Sequence, residues 1–319
     1  MDFKKNEYII LLAGGVGAAK FIDGIAHIMD QAKLKIIINT GDDINLFGLK
    51  ICPDLDIITY TLADLVDKVK GWGFKDESFN CLSILKEYYE VDWFNAGDKD
   101  LATHIFRTDL LKKGFTKAEV TSIICQKLGI KAQLIPMCNQ DVPTYIKTKK
   151  KGTMHFEEFF IKEQCKPKIS DVIFRNISKA KPVDGVLKLI ENAKKIIICP
   201  SNPIVSIGTI LSIPGIRNVL KKVREKVYGV SPIIEDATVK GPADKLMKWQ
   251  GLDVSCFGVA KYYQDIMKHF IIDKRDKQYK EKIEESFGIK TYTFDTLMID
   301  LNKKKQLAQF VLDLPRERK

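Results

Sequence analysis

The 319-residue chain is 45% hydrophobic and 29% charged, enough for a large buried core, and no apolar run approaches the roughly 18–20 residues that span a bilayer. Its net charge of +11 comes from scattered lysines without interleaved aromatics, which argues against a nucleic-acid partner and reads as a solvated lysine-rich surface, a field that attracts polyanionic small molecules being the alternative. Seven cysteines with no CxxC pair argue against zinc and disulfide frameworks, and four histidines with no HExxH leave carboxylates, hence magnesium, as the expected metal chemistry.

In chain order, a strand is expected near 7–13, and it runs directly into a glycine loop without a cleavage site, so we expect a cytoplasmic protein. A second strand is expected near 34–39. From Leu55 to Leu128 apolar residues recur at i, i+3, i+4 and i+7, the pattern of about four helices, with Thr116 and Glu119 as a capping box for the last. Another strand follows near 131–136. Residues 143–175 alternate like a hairpin with a Lys/Gly turn, expected as a flap on the sheet edge. Strands near 195–200, 227–231 and 253–257 complete the pattern, most of them followed by a turn and a helix. This is the grammar of an α/β protein, a Rossmann-like three-layer sandwich with a mostly parallel central sheet. Residues 1–56 and 129–319 are expected to form the discontinuous α/β domain, interrupted by a helical insert at 57–128.

Five stretches carry polar chemistry, four of them at strand ends. In GGVG, the glycines Gly14, Gly15 and Gly17 let backbone amides approach an anion at the start of a helix, and Lys20 adds a charge. A tight turn that binds nothing is the alternative, because the loop lacks both the Walker A ending and the GxGxxG spacing. NTGDDINLFGLKICPDLD places Asp42, Asp43, Asp54 and Asp56 within 15 positions. Such crowding needs a cation or raised pKa values. Asp54, beside Pro53, suits a helix cap. Asp42, Asp43 and Asp56 are the candidate magnesium ligands. The run Asp98–Arg107 is compatible with a capped helix bearing surface ion pairs. PSNPIVS supplies Ser201, Asn202, Pro203 and Ser206 after an apolar strand, and VSPIIEDATVKGPADKLM places a third polar loop on the same rim.

Together, GGVGAAK, NTGDD…PDLD, GDKDLATH, PSNPIVSIG, VSPIIEDATVKGPADKLM and GVAKYYQD resemble the 2-phospho-L-lactate transferases of coenzyme F-420 biosynthesis, in order and over nearly the whole chain. The resemblance implies transfer of a 2-phospho-L-lactyl or phosphoenolpyruvyl group from a guanosine diphosphate donor to the deazaflavin alcohol 7,8-didemethyl-8-hydroxy-5-deazariboflavin (FO). It further implies release of GMP, a requirement for Mg2+, and a homodimer. Carried onto this sequence, the deazaflavin-binding pair is Asp56 and Asn95, the latter a neutral amide where the family pattern has Lys or Arg. Asp56 is also the expected catalytic residue, orienting the attacking hydroxyl or accepting its proton. Gly14, Gly15, Gly17, Lys20, Ser201, Asn202, Pro203 and Ser206 are the expected phosphate and nucleotide contacts. Trp72, Trp93 and Phe94 are candidate walls for the flat ring. The alternative is a non-enzymatic nucleotide-sugar-binding regulatory protein of the same superfamily.

Overall fold

Residues Ile9–Ala13 are apolar and buried at every position, as a strand with both faces covered must be, and they form the inner strand β1 of a parallel sheet. The computed structural model describes residues 7–238 and 241–315; Val239 and Lys240, within the expected third polar loop, lie outside the described residues.

After β1 come α1 (Gly15–Ala26), β2 (Leu34–Ile38), the hairpin β3 (Ile44–Leu46) and β4 (Leu49–Ile51), α2 (Pro53–Leu62), α3 (Asn80–Tyr88), α4 (Asp98–Lys112) and α5 (Lys117–Lys127). Then follow β5 (Gln133–Pro136), β6 (Thr144–Thr148), β7 (Gly152–His155), β8 (Ile169–Phe174), α6 (Val186–Asn192), β9 (Lys195–Ile198), α7 (Gly208–Ser212), α8 (Ile216–Lys222) and β10 (Val227–Val230). The remainder holds β11 (Ile233–Ile234), β12 (Ala237–Thr238), α9 (Ala243–Trp249), α10 (Cys256–Tyr263), β13 (His269–Asp273), α11 (Lys280–Phe287), β14 (Lys290–Phe294) and α12 (Leu301–Asp313).

The central sheet has 7 strands in the order β14-β13-β10-β9-β1-β2-β5, every pair parallel. From β1 the chain winds outward through β2 to β5, then crosses back to β9 on the other side of β1. The direction of winding therefore reverses between β1 and β9. Open α/β sheets bind ligands outside the carboxyl ends of the strands at such a switch. Side chains alternate across the pleat: Ile9, Leu11 and Ala13 join the core under α1, α2 and α12, while Ile10 and Leu12 face the layer that includes α8 and α10. The fold is the expected three-layer α/β sandwich.

Two expectations are corrected. Residues 253–257 form no strand; Ser255 caps α10 by accepting the N–H of Gly258, and the outer strands are β13 and β14. Residues 143–175 make a separate antiparallel sheet, β7-β6-β8, with a helical turn at Glu158–Lys162, rather than a hairpin on the edge of the main sheet. It docks on the rim through Thr144 N–H, which donates to Gly41 O at 2.7 Å.

The expected capping box is present, with Thr116 Oγ1 accepting from Glu119 N–H and the Glu119 side chain accepting from Thr116 N–H. Within the helical stretch, Ile57 and Ile58 of α2 and Cys125 of α5 pack in the sheet's own core. Phe94, Ala96 and Leu101 instead share a small satellite core with Ile51 of β4. Among the described residues no single helix is long and apolar enough to cross a membrane.

Candidate active site

Gly14 follows β1 and Ser201 follows β9, so they stand on the two sides of the switch, and Gly14 N–H donates to Ser201 Oγ at 3.3 Å. A Cβ on Gly14 would lie 2.7 Å from Asp54 Oδ2, 2.8 Å from Ser206 Cβ and 3.2 Å from Asn39 Cβ. One missing side chain thus lets four motifs meet. Gly17 does the same for the β9 loop, since its Cβ would fall 2.1 Å from Pro200 O. Gly15 has φ +72, the left-handed region that favours glycine.

Asp54, expected to cap its own helix, instead reaches the neighbouring one. Its Oδ1 accepts the Gly15 N–H at 2.7 Å and its Oδ2 accepts from Asn39 Nδ2 at 2.9 Å. The N-cap of α2 is Cys52, which makes no side-chain cap, while Pro53 occupies the first turn as expected. The amides of Gly14 and Gly15 are therefore used inside the protein. Of the first-turn amides of α1 this leaves Val16 and Gly17, which have no intrahelical acceptor, to meet an anion. Lys20 lies one turn further on and is half-buried. Asn202 caps the turn Pro203–Ile207, its Oδ1 accepting from Ile204 N–H at 3.0 Å and Val205 N–H at 3.3 Å. Ser206 is buried against Gly14.

The carboxylates sort by their partners. Asp43 Oδ2 accepts from Lys117 Nζ at 2.5 Å, both side chains buried. Asp56 is held by both arms of Arg107, with NH1 donating to Oδ2 at 3.0 Å and NH2 donating to Oδ1. These two acids, expected as metal ligands, already have cations from the chain. Asp42 has no such partner among the described residues, and its Oδ1 is buried without a hydrogen bond, as is Asp43 Oδ1. Burial, then the charges of Asp54 and Glu157, push the Asp42 carboxyl well above the usual range. Burial likewise lifts Asp54 to about 6. No three His, Cys, Asp or Glu side chains among the described residues are already gathered as a metal site. A Mg2+ ion suits such a rim, because it keeps several waters and takes one or two carboxylates plus substrate phosphates.

Arg107 and His104, in the run compatible with surface ion pairs, are buried. Arg107 NH1 also faces His104 Nδ1 at 3.3 Å. A guanidinium has only donors, so Nδ1 is the acceptor and the ring is the neutral Nε2–H tautomer. Burial lowers the His104 pKa to about 4, in agreement. Asn95 is exposed and lines a small pocket with Trp72, Phe74, Phe79, Gly97 and Asp100. Asp100 links this pocket to Asp56: burial, then the Asp56 charge, raises its carboxyl to about 7. Trp93 and Phe94 pack edge to face in the satellite core, 5.9 Å between centroids, away from that lining. Lys117, His155 and Glu157 also belong to the rim, and sequence reasoning misses them. Lys117 is the first residue of α5, and nothing in the local pattern shows that its stem runs inward to Asp43.

A doubly wound sheet with a glycine loop, a polar β9 loop and buried acids at its switch point has the layout of an α/β protein that binds a small molecule at its strand ends. Residues 9–311 match the family model described as 2-phospho-L-lactate transferase CofD. A 2-phospho-L-lactate transferase of Methanosarcina mazei is 40% identical over 304 residues, covering 95% of this chain and 99% of the relative. A phosphoenolpyruvate transferase of Streptomyces griseus is 37% identical over 314 residues, covering 97% and 98%. Among solved structures, a Bacillus halodurans protein of the upf0052 family superposes with a TM-score of 0.64 at 14% identity, covering 98% of this chain and all of that one, a likeness of fold alone. The chain belongs to the 2-phospho-L-lactate transferase CofD family and is a transferase acting on small-molecule substrates.

Proposed function

We propose that the chain transfers a 2-phospho-L-lactyl or phosphoenolpyruvyl group from a guanosine diphosphate donor to the deazaflavin alcohol FO, releasing GMP, in coenzyme F-420 biosynthesis. The reading rests on the family match over residues 9–311 together with the meeting of GGVG, NTGDD, PDLD and PSNP around Gly14. In the reaction, the primary hydroxyl of the ribityl chain forms a new O–P bond to the phosphorus that bears lactate or enolpyruvate. The bond from that phosphorus to the bridging oxygen breaks, GMP departs with the electron pair, and the hydroxyl proton passes to solvent.

Such a transfer asks mainly for alignment and charge stabilisation. The Val16 and Gly17 amides, at the positive end of α1, meet diphosphate oxygens. The Ser201–Ser206 turn, rigidified by Asn202, holds the nucleotide against them. Asp56, fixed in direction by Arg107, orients the ribityl hydroxyl, and the exposed side chains of Asn95 and Trp72 meet the flat ring. Asp42 and Asp43, each with an unpartnered oxygen, would hold Mg2+. When bound, the ion neutralises diphosphate charge. A homodimer in the cytoplasm, as the resemblance implies, is part of the same proposal.

The test is an incubation of the chain with FO, Mg2+ and the guanosine donor, read by chromatography and mass. GMP and a phosphorylated deazaflavin ester in equal amounts are expected. Hydrolysis of the donor with FO unchanged would reject the acceptor, and an inert donor would reject the reaction.

A further inference from the structure

Five carboxylates are buried at the rim: Asp42, Asp43, Asp54, Asp56 and Glu157, none more than 6% exposed. A buried carboxylate needs a cation, strong hydrogen bonds or a proton. Lys117 serves Asp43 and Arg107 serves Asp56. Asp54 has two N–H donors, from Gly15 and Asn39. Asp42 and Glu157 remain, with no cation partner among the described residues.

Glu157 reaches the rim by a route that leaves it little freedom. It follows β7, and its N–H donates to His155 Nδ1 at 3.1 Å. With Nδ1 accepting, the other ring nitrogen carries the proton, and His155 Nε2 donates to Asp43 O at 3.2 Å. Burial holds the His155 pKa near 4, so the ring stays neutral and does not itself balance an acid at neutral pH. On the adjacent strand, Thr144 N–H donates to Gly41 O. The small antiparallel sheet is thereby fastened to the loop of Asn39–Asp43 at two points, one on each side of Asp42. Glu157 stands two residues after His155 and is buried, so the contact of His155 with Asp43 O holds the Glu157 backbone beside the Asp42 loop.

We propose that Glu157 is a further carboxylate of the cation site, acting with Asp42 on a divalent ion through the ion's retained water. The unpartnered, buried Oδ1 of Asp42 marks where positive charge is missing. Contact through water suits Mg2+, which loses its water reluctantly and takes only one or two carboxylates directly. The inference deepens the proposed function, which supplies the diphosphate on the ion's other side. A small added sheet clamped on the β2 loop thereby gains a chemical role, delivering an acid that the doubly wound core does not provide.

The experiment is titration of the whole chain with Mn2+, with and without GDP, counting free ion by its electron paramagnetic resonance signal. E157Q is expected to weaken Mn2+ binding about tenfold or more. E158Q, at the half-exposed neighbour that pairs with Lys162, is expected to bind as the parent does. Equal Mn2+ affinity in E157Q and parent, or no Mn2+ binding by the parent in either condition, overturns the inference. Should E157Q fail to fold, E157D takes its place, and an affinity unchanged from the parent again overturns it. The readout needs no turnover: Glu157-dependent Mn2+ binding by a chain that transfers nothing would reject the proposed function and leave this site standing.

Discussion

Arg107 and Asp56, 51 residues apart in sequence, form a two-armed buried ion pair that joins α4 to the first turn of α2. Removing one partner leaves the other charge buried and unpaired, which costs about 3–5 kcal/mol. R107M is therefore expected to lose stability on that scale in urea unfolding. Adding D56N to it should recover part of the loss, because no unpaired charge then remains. A double variant no more stable than R107M would show that the pair is not what holds these helices together.

Gly17 and Gly15 separate two uses of glycine in one loop. A methyl at position 17 meets Pro200 O at 2.1 Å, a collision with backbone, whereas one at position 15 meets nothing within 4 Å and suffers only from φ +72. G17A is expected to cost more than about 3 kcal/mol and to weaken nucleotide binding as β1 and β9 loops part. G15A should cost about 1–2 kcal/mol, the ordinary left-handed penalty. Thermal unfolding of the two variants checks the order, and a G15A more damaging than G17A would reverse the assignment.

His104 predicts an acid limb in stability. The unfolded ring takes a proton near pH 6.5, the folded one only near 4. Between those values the unfolded chain binds more protons, so stability is full above about 6.5 and falls as pH drops toward 4. The loss from this group is about 2–3 kcal/mol. H104N lacks the group and should lose correspondingly less over that window. Parallel stability–pH curves for H104N and parent would remove His104 from the acid response.

Asn95 lines the aromatic pocket from an exposed position, where its amide is open to a ligand. N95A is expected to raise the KM for the deazaflavin alcohol several-fold with kcat little changed, the pattern of an interaction equal in ground and transition states. A fall in kcat with KM unchanged would place Asn95 at the reacting centre instead.

Much of the scaffold is legible in the sequence because local chemistry and tertiary role agree. The apolar runs of β1, β2 and β9, broken only by Lys35 and Lys195, are what strands covered on both faces require, and Thr116 with Glu119 marks a helix start by itself. Residues 253–257 look like a strand because Val254 and Cys256 alternate with polar neighbours, but Ser255 accepts the Gly258 N–H and starts a helix instead. β13 escapes notice because its apolar centre is only three residues, Phe270–Ile272, between His269 and Asp273. At the rim, the polar loops are legible but their wiring is not. Asp54 looks like a cap and is one, for the wrong helix. The partners of Arg107 and Lys117, Asp56 and Asp43, lie 51 and 74 positions away, beyond the reach of any local pattern. Glu157 carries no signal at all without the docking of the small sheet.

The most direct check of the central claim, that donor and acceptor meet where β1 and β9 diverge, is amide hydrogen exchange of the chain with GDP, Mg2+ and FO together. Slowed exchange is predicted in residues 14–18, 39–43 and 200–207, with a second footprint at 93–100. Unchanged exchange in all of these segments, with protection confined to the opposite ends of the strands, would contradict it.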